Sequence, residues 1–330
     1  MIRALVTGVG GPAGVAVLRS LHRRPDVEVL AADMDGWAAG LYLVPPGNRR
    51  LVLPGAADGF VDDVLACCAA DRVDVLVSTV DAELVPLATR RDELLAGGTV
   101  LVAPSLGTIR LCLDKAALAE RCAPLLRVPT TVVLDAAAAE LDWRFPVIVK
   151  PRTGSGSRGV HLVPDRDALR VLGTDDSVLV QELLPGEEYS VDVLADAEGR
   201  VVAAVPRTRA RVDSGVAIAG TTVRDPALEQ TATAVAEAIG LVGVANVQLR
   251  RDVAGTPALL EVNPRFPGAL PLTVAAGVDM PSLALDLALG RPLPARLEFR
   301  ELADVRYLED VFCDPAEILR SPHAAHQGDL

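Results

Sequence analysis

The chain has 330 residues, half of them hydrophobic and only 3% aromatic, with a formal net charge of −12. That length holds two or three compact lobes. The acidity, with no basic tract to offset it, argues against a nucleic-acid partner, and no apolar run reaches the roughly 18 residues that span a bilayer. The opening stretch, Met1 to Gly11, reads as a strand and turn and not as a signal peptide, so a cytoplasmic protein with no membrane partner is expected.

Residues 1 to 105 alternate short β runs with helical patterns. Strands are predicted at Ile2 to Thr7, Val27 to Ala32 (ending at Asp33), Asp74 to Ser78 and Val100 to Ala103. Helices are predicted at Pro12 to Leu21, Phe60 to Ala70 and Ala82 to Leu95. Nearly continuous apolar strands between helices indicate a parallel sheet covered on both faces. Asp114 is a good N-cap for a helix to about Arg121, and a strand follows around Val128 to Val133. Residues 146–163 read as a hairpin carrying a Gly/Ser loop. Strands are then expected at Val178 to Glu182, Glu188 to Ala195, Val201 to Thr208, Gly243 to Arg250 and Ala258 to Val262. One long helix, Pro226 to Ile239, interrupts them. The tail beyond Pro292 is weakly patterned, and Ser321 to Leu330 is expected to fray. The fold class is α/β plus α+β. Its expected division is 1–105, 106–183 as a small lobe and 184–330 as a larger lobe.

Of 32 Lys+Arg residues only two, Lys115 and Lys150, are lysine. In an arginine-biased chain a retained lysine suggests a place for a compact ammonium where a planar guanidinium does not fit. Lys150 ends the apolar run Phe145 to Val149 and opens a loop with Gly154, Ser155, Gly156, Ser157 and Gly159. Glycines let backbone N–H groups approach phosphate oxygens, and serine hydroxyls add further donors. The five cysteines form no CxxC pair and the four histidines no ligand or triad spacing, so zinc, disulfides and His-centred catalysis are not expected.

Three further patterns carry chemistry. Gly8-Val-Gly10-Gly-Pro-Ala-Gly14, with Asp33 at the next strand's end, fits a dinucleotide fingerprint in outline, but a tight strand-to-helix turn with close backbone packing is the favoured reading. Between Val178 and Val191, a strand ends at Glu182, a turn follows, and Glu188 begins the next strand. Such a hinge can offer backbone groups to an adenine edge and a carboxylate to ribose. Asn246-Val-Gln248 and Glu261-Val-Asn263-Pro-Arg265 lie on adjacent strands and present only oxygen donors, which suits Mg²⁺ bridging phosphates. Arg265 is placed to neutralise anionic oxygen. Arg207, Arg209 and Arg211 share one strand face, either to hold a substrate carboxylate or as a solvated surface. Phe266 to Thr273, with Pro12 to Gly14 and Asp81 opposite, reads either as acceptor-pocket lining or as packing.

Together these patterns resemble the ATP-grasp superfamily from residue 1 to about 290, and within it the synthetase units of the carbamoyl phosphate synthase large subunit and related stand-alone ligases. The resemblance implies an ATP-grasp fold with a Rossmann-like N-terminal pre-ATP-grasp domain. It implies Lys115 and Lys150, with Arg152 nearby, on ATP phosphates. It further implies Glu182, Leu183 and Leu184 at the adenine hinge, Glu188 on the ribose, and Gln248, Glu261 and Asn263 at one or two Mg²⁺ ions, with Mn²⁺ a substitute. The chain holds one such unit and no glutaminase segment, which favours a carboxylate–amine ligase. A small carboxylic acid, an amino acid first among candidates, held by Arg207, Arg209 or Arg265, would be phosphorylated and then captured by an amine. A carboxyphosphate or carbamoyl-phosphate synthetase and a non-catalytic ATP-binding module are the alternatives. Dimers are common in the superfamily, which leaves a homodimer open.

Overall fold

The N-terminal elements are β1 (Ile2–Thr7), α1 (Pro12–Leu21), β2 (Val27–Asp33), β3 (Arg49–Leu51), α2 (Phe60–Asp71), β4 (Val75–Val77), α3 (Asp81–Thr89), α4 (Arg91–Ala96) and β5 (Val100–Val102). They come from a computed structural model that describes residues 1–154, 156 and 158–320. Ser155 and Ser157 of the expected phosphate loop, and the end expected to fray, Ser321 to Leu330, lie outside the described residues. The five strands form a parallel sheet in the order β3-β2-β1-β4-β5. Side chains alternate between its faces. Leu5, Leu30 and Leu76 pack with Phe60, Val64, Leu84 and Leu94 on one side, and Val6, Val29 and Val77 pack with Val17, Leu18 and Leu21 on the other. That two-sided burial is why the strands read as unbroken apolar runs. Two details differ from expectation. The helix predicted over Ala82 to Leu95 breaks into α3 and α4 at Arg90, whose φ of −109° and ψ of 27° leave the helical region. The short edge strand β3 carries two arginines and no apolar alternation, so pattern alone misses it.

Next come α5 (Leu106–Leu113), α6 (Lys115–Cys122), β6 (Thr131–Leu134), β7 (Val147–Pro151), β8 (His161–Val163), α7 (Arg166–Val171) and β9 (Asp175–Glu182). Asp114 caps α6 as expected, accepting from the N–H groups of Ala116 and Ala117. Helices α5 and α7, unforeseen from the pattern, start at Ser105 and Asp165 caps. The four strands form an antiparallel sheet in the order β6-β9-β7-β8.

The third group is β10 (Glu188–Ala195), β11 (Val201–Thr208), β12 (Arg211–Asp213), β13 (Val216–Thr221), α8 (Pro226–Ala238), β14 (Gly243–Arg251), β15 (Pro257–Asn263), α9 (Leu270–Ala275), α10 (Met280–Ala288) and β16 (Ala303–Val305). Strands β11-β10-β14-β15 make one antiparallel sheet and β12-β13-β16 a smaller one. Leu228, Ala232, Val235 and Ala236 recur at helical spacing on α8. They bury one sheet face together with Val191, Val193, Val247 and Leu249. The β12–β13 hairpin escaped prediction. Its turn, Ser214 and Gly215, has both residues at positive φ, the geometry of a tight type I′ loop. The weakly patterned tail is anchored. β16 pairs with β13, Arg19 and Arg49 of the first domain meet Glu309 and Glu317, and the Leu319 N–H donates to Tyr42 Oη at 3.0 Å. Helices α9 and α10 pack against α1, which seats the large lobe on the parallel sheet. Among the described residues no helix is long and apolar enough to cross a membrane.

Candidate active site

The unpacked face of the β11-β10-β14-β15 sheet is polar because side chains in a strand alternate faces with period two. Val191, Val193, Val247 and Leu249 point to α8, so Ser190, Asp192, Asn246 and Gln248 point away. Register aligns them across the sheet: Arg207 opposite Ser190, Ser190 opposite Gln248, and Gln248 opposite Glu261. One step along, Asp192 lies opposite Asn246 and Asn246 opposite Asn263. Gln248, Glu261 and Asn263 therefore share one face. A cavity of about 250 Å³ borders them, lined also by Arg207, Arg209 and Arg265.

The two lysines face this sheet from the small lobe. Lys150, near the end of β7, is 8% exposed and its Nζ donates to Gln181 Oε1 at 2.8 Å. Among the described residues it has no carboxylate within ion-pair distance. Burial pushes its pKa down to about 8, with Lys115 lowering it further and Glu261 partly restoring it. Lys115 Nζ donates to the Gly154 carbonyl at 2.6 Å and stands 3.9 Å from Glu261 Oε2. Lys115, Lys150, Ile148, Gly154, Arg158, Glu188, Gln248, Leu260 and Glu261 border one narrow cleft of about 160 Å³ between the lobes. Gly154, Gly156 and Gly159 all have positive φ, a conformation that side-chain-bearing residues adopt at a cost.

The four arginines considered for a carboxylate divide. Arg207 is 2% exposed, and its Nε and Nη2 donate to Asp192 at 2.9 and 2.7 Å. Neither a solvated face nor a free substrate anchor describes it, because its charge is consumed by an aspartate that is itself 0% exposed. Asp192 accepts also from Asn246 Nδ2 at 2.8 Å and from Thr273 Oγ1. Arg209 is held by Glu188 at 3.0 Å, Ser190 Oγ at 3.1 Å and the Gly215 carbonyl at 3.1 Å. Arg211 is exposed. Arg265 reaches across to the first domain, donating from Nε and Nη2 to the two oxygens of Asp81, each at 2.7 Å.

Other expected residues are committed elsewhere. Arg152 forks onto Asp114, the α6 cap, with contacts of 2.7 to 3.0 Å, so its guanidinium is taken up by that cap and not free for phosphates. The Glu182 carboxylate accepts from Arg127 Nη2 at 2.6 and 2.8 Å and from the Thr130 N–H at 3.1 Å. The N–H groups of Leu183 and Leu184, just past β9, make no backbone hydrogen bond to a described residue. The hinge thus offers backbone, not the Glu182 side chain. Gly8 to Gly14 is a packed turn: a Cβ on Gly14 would fall 2.2 Å from the Gly8 carbonyl oxygen. The Gly10 N–H donates to Asp33 Oδ2 at 2.7 Å, so the amide that a pyrophosphate would need is occupied by a carboxylate. Residues that sequence reasoning missed are Gln181, Asp192 and Glu83. Each reads as an ordinary polar residue on a strand or in a helix's first turn.

Mg-ATP fits the residues present. The side chains of Gln248 and Asn263 make no hydrogen bond to a described residue, and beside them lie Glu261 and two ammonium groups. No three His, Cys, Asp or Glu side chains cluster as a metal site among the described residues. One carboxylate and two amides suit a hard cation shared with phosphate oxygens better than a metal held by protein alone.

Comparison with known proteins agrees with this fold. Residues 174–311 match a family model described as ATP-grasp in the biosynthetic pathway with Ter operon. The carbamoyl phosphate synthase large chain of Clostridium acetobutylicum is 28% identical over 225 residues, 61% of this chain. The chain spans 21% of that relative's length. Biotin carboxylase from Campylobacter jejuni, solved as a β-γ-ATP complex, superposes with a TM-score of 0.75 at 17% identity, over 89% of this chain and 72% of that one. L-amino acid ligase from Bacillus licheniformis superposes with a TM-score of 0.66 at 17% identity, covering 87% of this chain and 74% of that one.

Proposed function

We propose, from its ATP-grasp fold and the family match over residues 174–311, that this chain is an ATP-dependent carboxylate–amine ligase. The proposed reaction forms an amide through an acyl phosphate and releases ADP and phosphate. One observation carries the reading: two ammonium groups, one buried with no carboxylate partner among the described residues, face Gln248 and Glu261 across a single cleft, and Asn263 borders the adjoining cavity. We divide the chain at 1–105, 106–183 and 184–330, with the nucleotide between the second and third parts.

In this reading Lys115 and Lys150 neutralise the phosphates, and Leu183 and Leu184 present backbone to adenine. Glu188 faces the ribose, and Gln248, Glu261 and Asn263 hold Mg²⁺. The metal supplies charge neutralisation at the transferring phosphoryl group. The substrate carboxylate, held by Arg209 and Arg265, attacks the γ-phosphorus and ADP leaves. The amine then attacks the acyl carbon and phosphate leaves. The protein's contribution is positioning and charge stabilisation, and the loop at 153–159 shields the acyl phosphate from water. The test is ADP release from Mg-ATP against amino acids singly and in pairs. Pair-dependent release supports the ligase. Bicarbonate-dependent release without an amine redirects the reading to carboxyphosphate chemistry.

Two further outcomes are expected. Lys150 binds phosphate only when protonated, and that form is lost as pH rises through about 8. Mg-ATP affinity is therefore flat below pH 7 and about tenfold weaker at pH 9, while Lys150→Met binds weakly at every pH and abolishes the dependence. Calorimetric affinities that stay constant from pH 7 to 9 would remove Lys150 from the phosphates. Second, Asp81 competes with the substrate for Arg265. Asp81→Asn should lower KM for the acid by up to about fivefold, the strength of a partly exposed ion pair, with KM for ATP unchanged. An unaltered acid KM would place the acid away from Arg265.

A further inference from the structure

A large cavity, about 1210 Å³, lies against the parallel sheet, at the C-terminal ends of β1, β2 and β4, and reaches Arg265 and Gly268 of the large lobe. Open α/β sheets bind ligands at such strand ends, but this one is not built for phosphate. Its walls carry the carboxylates of Asp33, Asp35, Asp81 and Glu83, against the guanidinium groups of Arg158 and Arg265. Three of the four have evident duties or exposure. Asp33 accepts from the N–H groups of Gly10 and Asp35 at 2.7 and 3.0 Å, Asp81 is forked by Arg265, and Asp35 stands exposed at the rim.

Glu83 is different. It is 5% exposed. Both hydrogen bonds it accepts, from Thr7 Oγ1 and from Ser78 Oγ at 2.8 Å, arrive at Oε2. Oε1 accepts none among the described residues, and no Lys, Arg or His there lies within ion-pair distance of the carboxylate. Burial raises its pKa, the expected cost of a carboxylate without a counter-ion. A buried carboxylate with one free oxygen at the wall of a large cavity lacks a cation that the chain does not provide. Met34, Trp37, Leu53 and Val80 supply apolar walls around it.

We infer that the amine substrate has two basic ends: one amine attacks the acyl phosphate at the Arg265 end of the cavity, and a second ammonium or guanidinium pairs with Glu83. The acceptor class is a diamine or a basic amino acid with an aliphatic spacer. This inference rests on the ligase reading.

The test is calorimetry on the full chain with Mg-ADP bound, titrating 1,5-diaminopentane against 1-aminopentane. The diamine should bind at least about tenfold tighter, the worth of a hydrogen bond to a charged group. Glu83→Gln should remove that preference and leave Mg-ADP affinity at the wild-type value. If Glu83→Gln fails to fold, Ala82→Lys, at an exposed position lining the same cavity, should weaken the diamine selectively. Equal binding of both amines to the wild type, or a diamine preference that survives both substitutions, overturns the inference and leaves the ligase reading standing. Failure of the wild type to bind Mg-ADP overturns both.

Discussion

Glu261→Ala is expected to lower kcat for ADP release by about 10²–10³-fold, the cost of removing one preorganised electrostatic contact to a developing charge. Glu261 is the only carboxylate in the expected metal set, directly opposite Gln248 across the β14–β15 ladder. Its oxygen lies 3.9 Å from Lys115. Loss of the carboxylate removes the charge that balances two ammonium groups, so Mg²⁺ dependence should shift to higher concentration along with the rate. Glu261→Gln keeps the shape and should recover little, because a hard cation prefers an anionic oxygen. Turnover measured across a Mg²⁺ titration checks this. A variant with wild-type kcat and wild-type Mg²⁺ dependence would show that the donor set is not a metal site.

The largest effect on stability is expected at Asp192, where alanine should cost about 3–5 kcal/mol. Four hydrogen bonds converge on this carboxylate, from Arg207, Asn246 and Thr273. Its removal leaves the Arg207 guanidinium buried with no counter-ion. Urea unfolding checks the magnitude. The double substitution Asp192→Leu with Arg207→Met should regain most of the loss, since replacing both members of a buried pair by apolar groups is often neutral. If Arg207→Met alone leaves stability unchanged and raises KM for the acid, Arg207 is a substrate anchor after all. The network also ties β10, β11 and β14 to α9, so it supports the strands that carry Gln248 and Asn263, and its Arg207 and Asn246 line the cavity beside them.

Much of this molecule was legible in its sequence. Unbroken apolar runs between helical patterns marked the parallel sheet, because strands buried on both faces need apolar residues throughout. Alternation from Glu188 onward marked a sheet with one polar face, and the period of two placed Glu261 and Asn263 together. The two lysines stood out because arginine serves every other positive role in the chain, and the structure brings both to one cleft. What the pattern missed is short or stabilised from a distance. Strand β3 and the β12–β13 hairpin have too few apolar side chains to announce themselves.

Sequence by itself determined the elements with strong local periodicity, the capped start of α6, and which residue types could meet phosphate and metal. Only tertiary structure decided which charges were free to do so. Arg207, Arg152 and Glu182 looked as available as Lys150 does. Yet each is neutralised by a partner 15, 38 or 55 residues away: Asp192, Asp114 and Arg127. Likewise nothing local distinguishes Glu83 from an ordinary acidic residue in a helix's first turn. Its lone oxygen matters only because the ends of β1 and β4 bury the carboxylate at the wall of a cavity that reaches Arg265 and Gly268. A side chain's chemistry is written in its own residue, whereas the solvation and pairing that set its charge are properties of everything packed around it.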